Sequence, residues 1–381
     1  MASDTTSTVA LPPIPALDAL PPMDVAARID RLRATFDGAS CDALLVTDLV
    51  NIRYLSGFTG SAALLLVTDD EVLFVTDGRY AEQSAEQLDA AGVVARIEVT
   101  GTEQRERLAA AVAAAGAGRI GLEAEDVSWA QQRRYAADWF PDLGLVPTTG
   151  LVEGLRIVKD HGEVARIEAA AIIADHALAT VRPRLAEHPT EADFGLELDT
   201  TMRRLGASGP SFETIVGSGP NGAKPHARPS SRRIADGDLV VIDFGAIVDG
   251  YCSDMTRTVV VGEVDGVQRR MVDVVTDAQQ AGVEAVRAGV ASKDVDAACR
   301  EVIEDAGWGD AFIHGTGHGV GLLIHEAPRV AKTADARLAA GQIVTVEPGV
   351  YLPEHGGVRV EDTLLVTEQG SRVLTHTAKE R

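Results

Sequence analysis

The sequence predicts a smaller α/β domain over residues 24–150 and a larger α+β domain over residues 151–381, behind a flexible tail of residues 1–23. Three observations carry this reading. In the first part, short apolar runs alternate with alanine-rich helical stretches. A long helix with a capping signal at Asp160 opens the second part. Three more helical patterns follow it, interleaved with β-rich segments joined by turn residues, as in a mostly antiparallel sheet covered by helices.

Taken in order, the tail holds Pro12, Pro13, Pro15, Pro21 and Pro22 and reads as mobile and partly extended. It has neither the cationic start nor the continuous apolar stretch of a secretory signal. From Asp42 to Tyr80 strands dominate: ALLV (43–46), ALLLV (63–67) and VLFV (72–75), separated by turn chemistry. A helix over Ala81–Ala91, the strand VVARIEV, a helix through Ala115 and the strand RIGLE complete the α/β pattern. The boundary falls between Leu151 and Lys159. Asp160 and Glu163 then stand as in a capping box, with apolar Val164, Ile167, Ala171, Ala174, Leu178 and Val181 at helical spacing up to Pro183. Further helices are predicted over 190–206, 267–288 and 292–306, and strands at LVVIDFG, TRTVVVG, QIVTVEPGVYL and VRVEDTLLV.

Composition excludes several classes. Apolar residues make up 45% of the chain, enough to bury a core. The formal net charge is −22 and no basic run exceeds two residues, which argues against nucleic-acid or anionic-membrane partners. No apolar run approaches the roughly 18 residues of a membrane span. Cys41, Cys252 and Cys299 are odd in number and far apart, so a disulfide framework is not expected and a reducing cytoplasm is.

The candidate chemistry lies in the second part. Asp249-Gly250 is a two-residue hairpin signal between apolar runs. A loop there pairs residues whose numbers sum to 499, so Asp254 faces Gly245 and shares a sheet face with Asp243. Asp243 ends an apolar run, where an acid needs a partner. His314, His318 and His325 cluster in HGTGHGVGLLIHEAP, whose glycines admit close backbone approach. Glu347 precedes Pro348 and is biased to close a strand. In VRVEDTLLV, alternation places Arg359, Glu361 and Thr363 on one face and Asp362 on the apolar one, so Glu361 is the better ligand, kept ionised and oriented by Arg359. Taken alone, each strand acid is an ordinary surface acid, and the loop histidine His226 is an ordinary solvated one. Together, four acids and one imidazole make a hard, oxygen-rich site suited to two divalent ions, Mn²⁺ first and Co²⁺ or Zn²⁺ as alternatives.

Asp243 and Asp254 with ten residues between them, then GTGHGVG, HE-x-P, VEPG and RVED, resemble the motifs of the pita-bread metallopeptidases, and the upstream GFTGSAALLLVTDDEVLFVTDGRY resembles the creatinase-like domain of the Xaa-Pro aminopeptidase and prolidase branch. The resemblance implies a pita-bread catalytic domain and a homodimer. It assigns Asp243 to one metal, His318 and Glu347 to the other, and Asp254 and Glu361 as bridges. Glu347 would manage the proton of an attacking water. His226, His314 and His325 would contact substrate, and Arg359 would stand behind the ligands. The leading expectation is an Xaa-Pro aminopeptidase acting on proline-containing peptides. The alternative is an Xaa-Pro dipeptidase, with Arg329 as the group for a free carboxylate. Creatinase-like hydrolysis without metal, or a binding module, would not need five intact ligands.

Overall fold

The structure, a computed structural model, describes residues 10–380. The chain forms two compact units: residues 23–156, and residues 157–381 together with 1–22.

The smaller unit is built on a six-stranded sheet of β1 (Ala43–Val46), β2 (Ala63–Thr68), β3 (Val72–Thr76), β4 (Arg96–Val99), β5 (Arg119–Glu123) and β6 (Gly144–Thr148). Their order is β4-β3-β2-β1-β5-β6. The pairs β1/β2 and β2/β3 are antiparallel and the other three are parallel. A three-residue turn joins β2 to β3, whereas the parallel neighbours are reached through helical crossovers. The helices are α1 (Arg28–Arg33), α2 (Phe36–Ala39), α3 (Leu49–Ser56), α4 (Ala81–Ala90), α5 (Gln104–Ala114), α6 (Trp129–Arg134) and α7 (Leu151–Arg156).

Two elements differ from the sequence expectation. Residues 42–80 are not all strand, because α3 lies among them. Asp48 caps it by accepting from Val50 N, and Gly57 ends it at φ 75°. Eight residues are too few for a helical period to stand out beside three strong strands. The second is β6, an edge strand whose residues are mostly half-exposed, so it lacks the apolar run that marks its neighbours.

In the larger unit, α8 (His161–Val181), α9 (Glu191–Arg204), α10 (Gly266–Ala285) and α11 (Ser292–Asp305) match the four predicted helices within three residues at either end. The Asp160/Glu163 capping box forms. Helix α8 is buried on nearly all sides, packing with Phe194, Leu198 and Met202 of α9 into one core with Val240 and Ile242. A second core joins α10 and α11 to Val344, Val346 and Leu364. The strands are β7 (Gly209–Pro210), β8 (Ile215–Ser218), β9 (Leu239–Phe244), β10 (Ala246–Val248), β11 (Tyr251–Cys252), β12 (Met255–Val260), β13 (Gly317–Gly319), β14 (Glu326–Val330), β15 (Ile343–Val346), β16 (Gly349–Leu352), β17 (Gly356–Arg359), β18 (Asp362–Val366) and β19 (Ser371–Val373). They form sheets β11-β10-β7, β12-β9-β8 and β14-β13-β15-β18-β19 and the hairpin β16-β17. Every ladder between these strands is antiparallel.

The tail is partly ordered onto this unit. Ile14, Leu17 and Leu20 pack against its first core. His176 Nε2 meets the Pro12 carbonyl at 2.8 Å, and Arg166 Nη1 donates to the Pro21 carbonyl at 2.9 Å. The expected mobile tail therefore does not extend through Pro22, because its apolar residues find the α8 surface. Residues 1–9 lie outside the described residues.

Candidate metal centre

The hairpin register expected from Asp249-Gly250 forms. Val248 faces Tyr251 and Ile247 faces Cys252, and the same sum continues to Phe244–Met255 and Asp243–Thr256. The turn residues sit at φ 45° and 78°, the left-handed pair of a type I′ loop. Between the two stretches the chain passes from one sheet to the other, at Gly245 on one side and Ser253-Asp254 on the other. A Cβ at Gly245 would stand 1.9 Å from the Ser253 carbonyl oxygen, so only glycine allows this crossing. Asp254 is placed at the break, 4% exposed.

The other candidate ligands arrive from three further segments. His318 lies on β13, Glu347 follows β15, and Glu361 lies between β17 and β18. His318 Nε2 stands 3.5 Å from Asp254 Oδ2 and 3.4 Å from Glu347 Oε1. Donor atoms of Asp254, His318 and Glu361 all lie within 4.8 Å of one another, which makes them a candidate metal-holding group. His318 Nδ1 lies 3.0 Å from the Gly319 carbonyl, which can only accept. The ring proton therefore sits on Nδ1 and leaves the Nε2 lone pair facing the acids. Burial pushes the His318 pKa down to about 4, which keeps the ring neutral.

The electrostatics of the acids call for cations. Burial, then the charges of Glu361, Asp243 and Glu347, hold the Asp254 carboxyl well above the usual carboxylate range. Burial, then Glu347 and Asp243, do the same to Glu361. Burial also raises Glu347 to about 8, although Arg359 draws it down. Asp243 Oδ1, Asp254 Oδ1 and Glu361 Oε1 are buried with no hydrogen-bond partner. Three buried carboxylate oxygens without partners, on acids clustered about a neutral imidazole in the case of Asp254 and Glu361, are costly alone and well matched to hard divalent ions.

Around this cluster the structure corrects one expectation. Arg359 does not bond Glu361. Its Nη2 donates to Asp243 Oδ2 at 2.6 Å, and Glu361 Oε2 is oriented instead by Thr256 Oγ1 at 2.7 Å. Arg359 also donates through Nη1 to Tyr351 Oη at 2.8 Å and through Nε to Thr256 Oγ1 at 3.1 Å. Asp362 points the other way, toward Arg257 and Lys379. His314 Nδ1 lies 2.8 Å from the Gly315 carbonyl and its Nε2 2.9 Å from Tyr351 Oη, so both ring nitrogens are engaged. Burial pushes its pKa down to about 4. His325 stacks edge-on against His318 with ring centroids 4.4 Å apart. His226 is exposed, and its charge bears on His314. Arg329 is exposed on β14 and makes no hydrogen bond or ion pair among the described residues. Sequence reading missed Thr256, Thr345 and Tyr351. The only available signal was Thr256 opposite Asp243 in the 499 register.

With this geometry in view, the model of Metallopeptidase family M24 matches residues 165–368 and that of the Creatinase/Prolidase N-terminal domain matches residues 28–158. The chain belongs to Metallopeptidase family M24. Its two folds are thus the creatinase-like α/β domain and the pita-bread α+β domain. A solved Xaa-Pro dipeptidase from Bacillus anthracis is 38% identical, with a TM-score of 0.90 over 93% of this chain and 99% of that one. An Xaa-Pro dipeptidase of Pyrococcus horikoshii is 33% identical over 93% of this chain and 98% of its own length. A solved X-Pro aminopeptidase from Thermotoga maritima is 34% identical, with a TM-score of 0.85 over 93% and 99%. No helix among the described residues is long and apolar enough to cross a membrane.

Proposed function

We propose that this metallopeptidase is an Xaa-Pro dipeptidase, hydrolysing the bond before proline in dipeptides. The sequence motifs alone ranked the aminopeptidase first. The observation that carries the dipeptidase reading is near-full-length similarity to two proteins named Xaa-Pro dipeptidase. Arg329 supports it, since a dipeptide presents a carboxylate close to the scissile bond and this exposed guanidinium has no partner of its own among the described residues. The aminopeptidase reading stays as the second, on the Thermotoga maritima likeness.

Asp243, Asp254, His318, Glu347 and Glu361 would hold two divalent ions, Mn²⁺ being the first candidate. Bound ions would polarise the scissile carbonyl and make water more acidic. The chain's own residues supply the rest. Glu347 takes up a proton at Oε1, the oxygen that faces His318 Nε2. Tyr351 and Arg359 fix the His314 ring and the Asp243 carboxylate in one hydrogen-bonded line. His226 and His325 make no hydrogen bond among the described residues, so their ring nitrogens are free for substrate. An Xaa-Pro bond has no N–H, so recognition must come from such groups around the proline ring. We also infer a cytoplasmic homodimer, from the three unpaired cysteines and the family resemblance.

The test is hydrolysis of Ala-Pro against Ala-Pro-Ala by Mn²⁺-loaded enzyme. Cleavage of Ala-Pro with little or none of the tripeptide is expected. The reverse preference restores the aminopeptidase reading.

A further inference from the structure

Outside the metal ligands, one buried ion pair stands where the function has not yet used it. Lys159 Nζ lies 3.0 Å from Glu326 Oε2, with the two side chains 1% and 6% exposed. Such a pair is poor evidence of stability, because desolvation offsets most of the attraction. Its position is more telling. Glu326 follows His325 directly and opens β14, where it pairs with Gly319 of β13. Residues 320–325 thus form a closed loop that starts two residues past the candidate ligand His318 and returns as His325.

The Glu326 carboxylate fills the inside of this loop. Its Oε1 accepts from Leu323 N at 3.0 Å. A Cβ at Gly321 would come within 2.5 Å of Oε2, so glycine leaves the room that the carboxylate occupies. The loop's far side is tied to β11, where Cys252 N donates to the Gly321 carbonyl at 2.8 Å. Lys159 is in turn fixed by its own backbone, its N donating to the Gly341 carbonyl at 2.9 Å, and its ammonium also donates to the Ile157 carbonyl at 3.3 Å. An anchored cation holds a carboxylate, the carboxylate shapes the loop, and the loop lays the His325 ring against His318.

We infer that Lys159 is a positioning residue for substrate recognition: through Glu326 it holds the 320–325 loop so that His325 faces the bound peptide. The inference rests on the proposed role of His325 in contacting substrate. It makes no demand on the metal ligands themselves, because β13 is held independently by β15 and by Thr345 Oγ1 on His318 N.

The experiment is a double-mutant cycle on Ala-Pro hydrolysis with wild type, Lys159→Met, His325→Ala and the double variant, alongside Mn²⁺ titration calorimetry. Lys159→Met is expected to lower kcat/KM about tenfold or more while Mn²⁺ affinity stays within about twofold. The double variant is expected to be no worse than His325→Ala alone, and Lys159→Arg to restore most of the activity. Independent, multiplying losses would overturn the proposal, as would wild-type kcat/KM in Lys159→Met with only a lower Tm. If His325→Ala keeps full kcat/KM, the substrate-contact reading fails first and takes the positioning role with it. Should Lys159→Met not fold, the cycle is run with Glu326→Gln, which keeps an acceptor for Leu323 N but removes the charge. Apart from turnover, selective ¹³C-histidine NMR of metal-free protein should show the His325 ring signal leave its stacked position in Lys159→Met and keep it in Lys159→Arg. An unmoved signal in Lys159→Met also refutes the idea.

Discussion

Gly317 offers a sharp test of how the metal-facing strand is held. It precedes His318 on β13, and a Cβ built there would stand 2.0 Å from the Thr345 carbonyl oxygen and 2.8 Å from Thr345 Oγ1. Contacts under 3.0 Å are not tolerated, so Gly317→Ala must open the gap to Thr345 by at least 1.0 Å (3.0 less 2.0). Thr345 is the residue least able to give way without consequence. Its hydroxyl accepts from His318 N at 3.1 Å and donates to Glu347 Oε1 at 3.4 Å, so one displacement disturbs two candidate ligands. Metal sites tolerate ligand shifts of only about 0.2 Å, and a misplacement of about 1 Å costs on the order of 100-fold in rate. Overpacking should add about 1–3 kcal/mol of destabilisation, a Tm fall of roughly 2–4 °C for each kcal/mol in a unit of this size. The assay is Mn²⁺ titration calorimetry with kcat/KM and a thermal melt, with Gly154→Ala as control. Gly154 lies inside α7 with nothing within 4 Å of a new Cβ, so that change should be neutral or slightly stabilising. Wild-type metal affinity and activity in Gly317→Ala would show that β13 is not packed as described.

Three further outcomes are expected. Asp254→Asn should abolish turnover while raising the Tm of metal-free protein, because it removes one of the mutually repelling buried charges; an active variant would exclude Asp254 from the metal site. The Tm gain on adding Mn²⁺ should grow from about pH 5 to about pH 8. Glu347 has its folded pKa raised from 4.5 to about 8, so its ionisation weakens the metal-free fold across that window and a bound cation removes the penalty; a pH-independent gain in calorimetry would contradict this. Glu191→Gln should cost about 1–3 kcal/mol, because the buried carboxylate accepts from Ser218, Asn221 and Ser230 at both ends of the loop that carries His226. Burial raises the Glu191 pKa, but these donors outweigh it and hold it below the ordinary value, so the wild-type advantage is present at neutral pH and shrinks as acid protonates it; an advantage that persists unchanged in acid melts would refute the assignment.

What could be read from sequence here was set by chain separation. The 499 register needed only the turn chemistry of Asp249-Gly250, and its pairs run from Val248–Tyr251 out to Leu239–Val260, with Asp254 falling at the break between the two sheets. Alternation separated Glu361 from Asp362, since neighbours in extended backbone point apart, although only Asp362 lies within a strand. The same local logic failed for Arg359. It ends β17 two residues before Glu361, yet its guanidinium reaches Asp243, 116 residues away, and Thr256 takes the Glu361 carboxylate instead. Lys159 and Glu326 are 167 residues apart, beyond any periodicity. Substrate length lies beyond this local logic for a related reason. Five candidate ligands point to metal-dependent hydrolysis, whereas an exposed residue such as Arg329 has no partner among the described residues to mark a role.

The candidate ligands also share a structural logic that residue type alone does not reveal. Asp254, Glu347 and Glu361 each sit just outside a strand, at a point where a ladder ends or changes sheet. Inside a regular ladder a carboxylate's direction is dictated by the pleat, and consecutive strands cannot all aim acids at one point. At a break the backbone is free to turn its side chain inward. The cost is a set of backbone groups without ladder partners, and here they are met individually. Glu347 N donates to the Thr316 carbonyl at 2.7 Å, Glu361 N to the Thr256 carbonyl at 3.1 Å, and the Asp254 carbonyl accepts from Thr363 Oγ1 at 2.7 Å. Each of these bonds joins one segment of the candidate site to another. Thr256, Thr316 and Thr363 thus tie together the three breaks that carry Asp254, Glu347 and Glu361, beside Asp243 on β9 and His318 on β13.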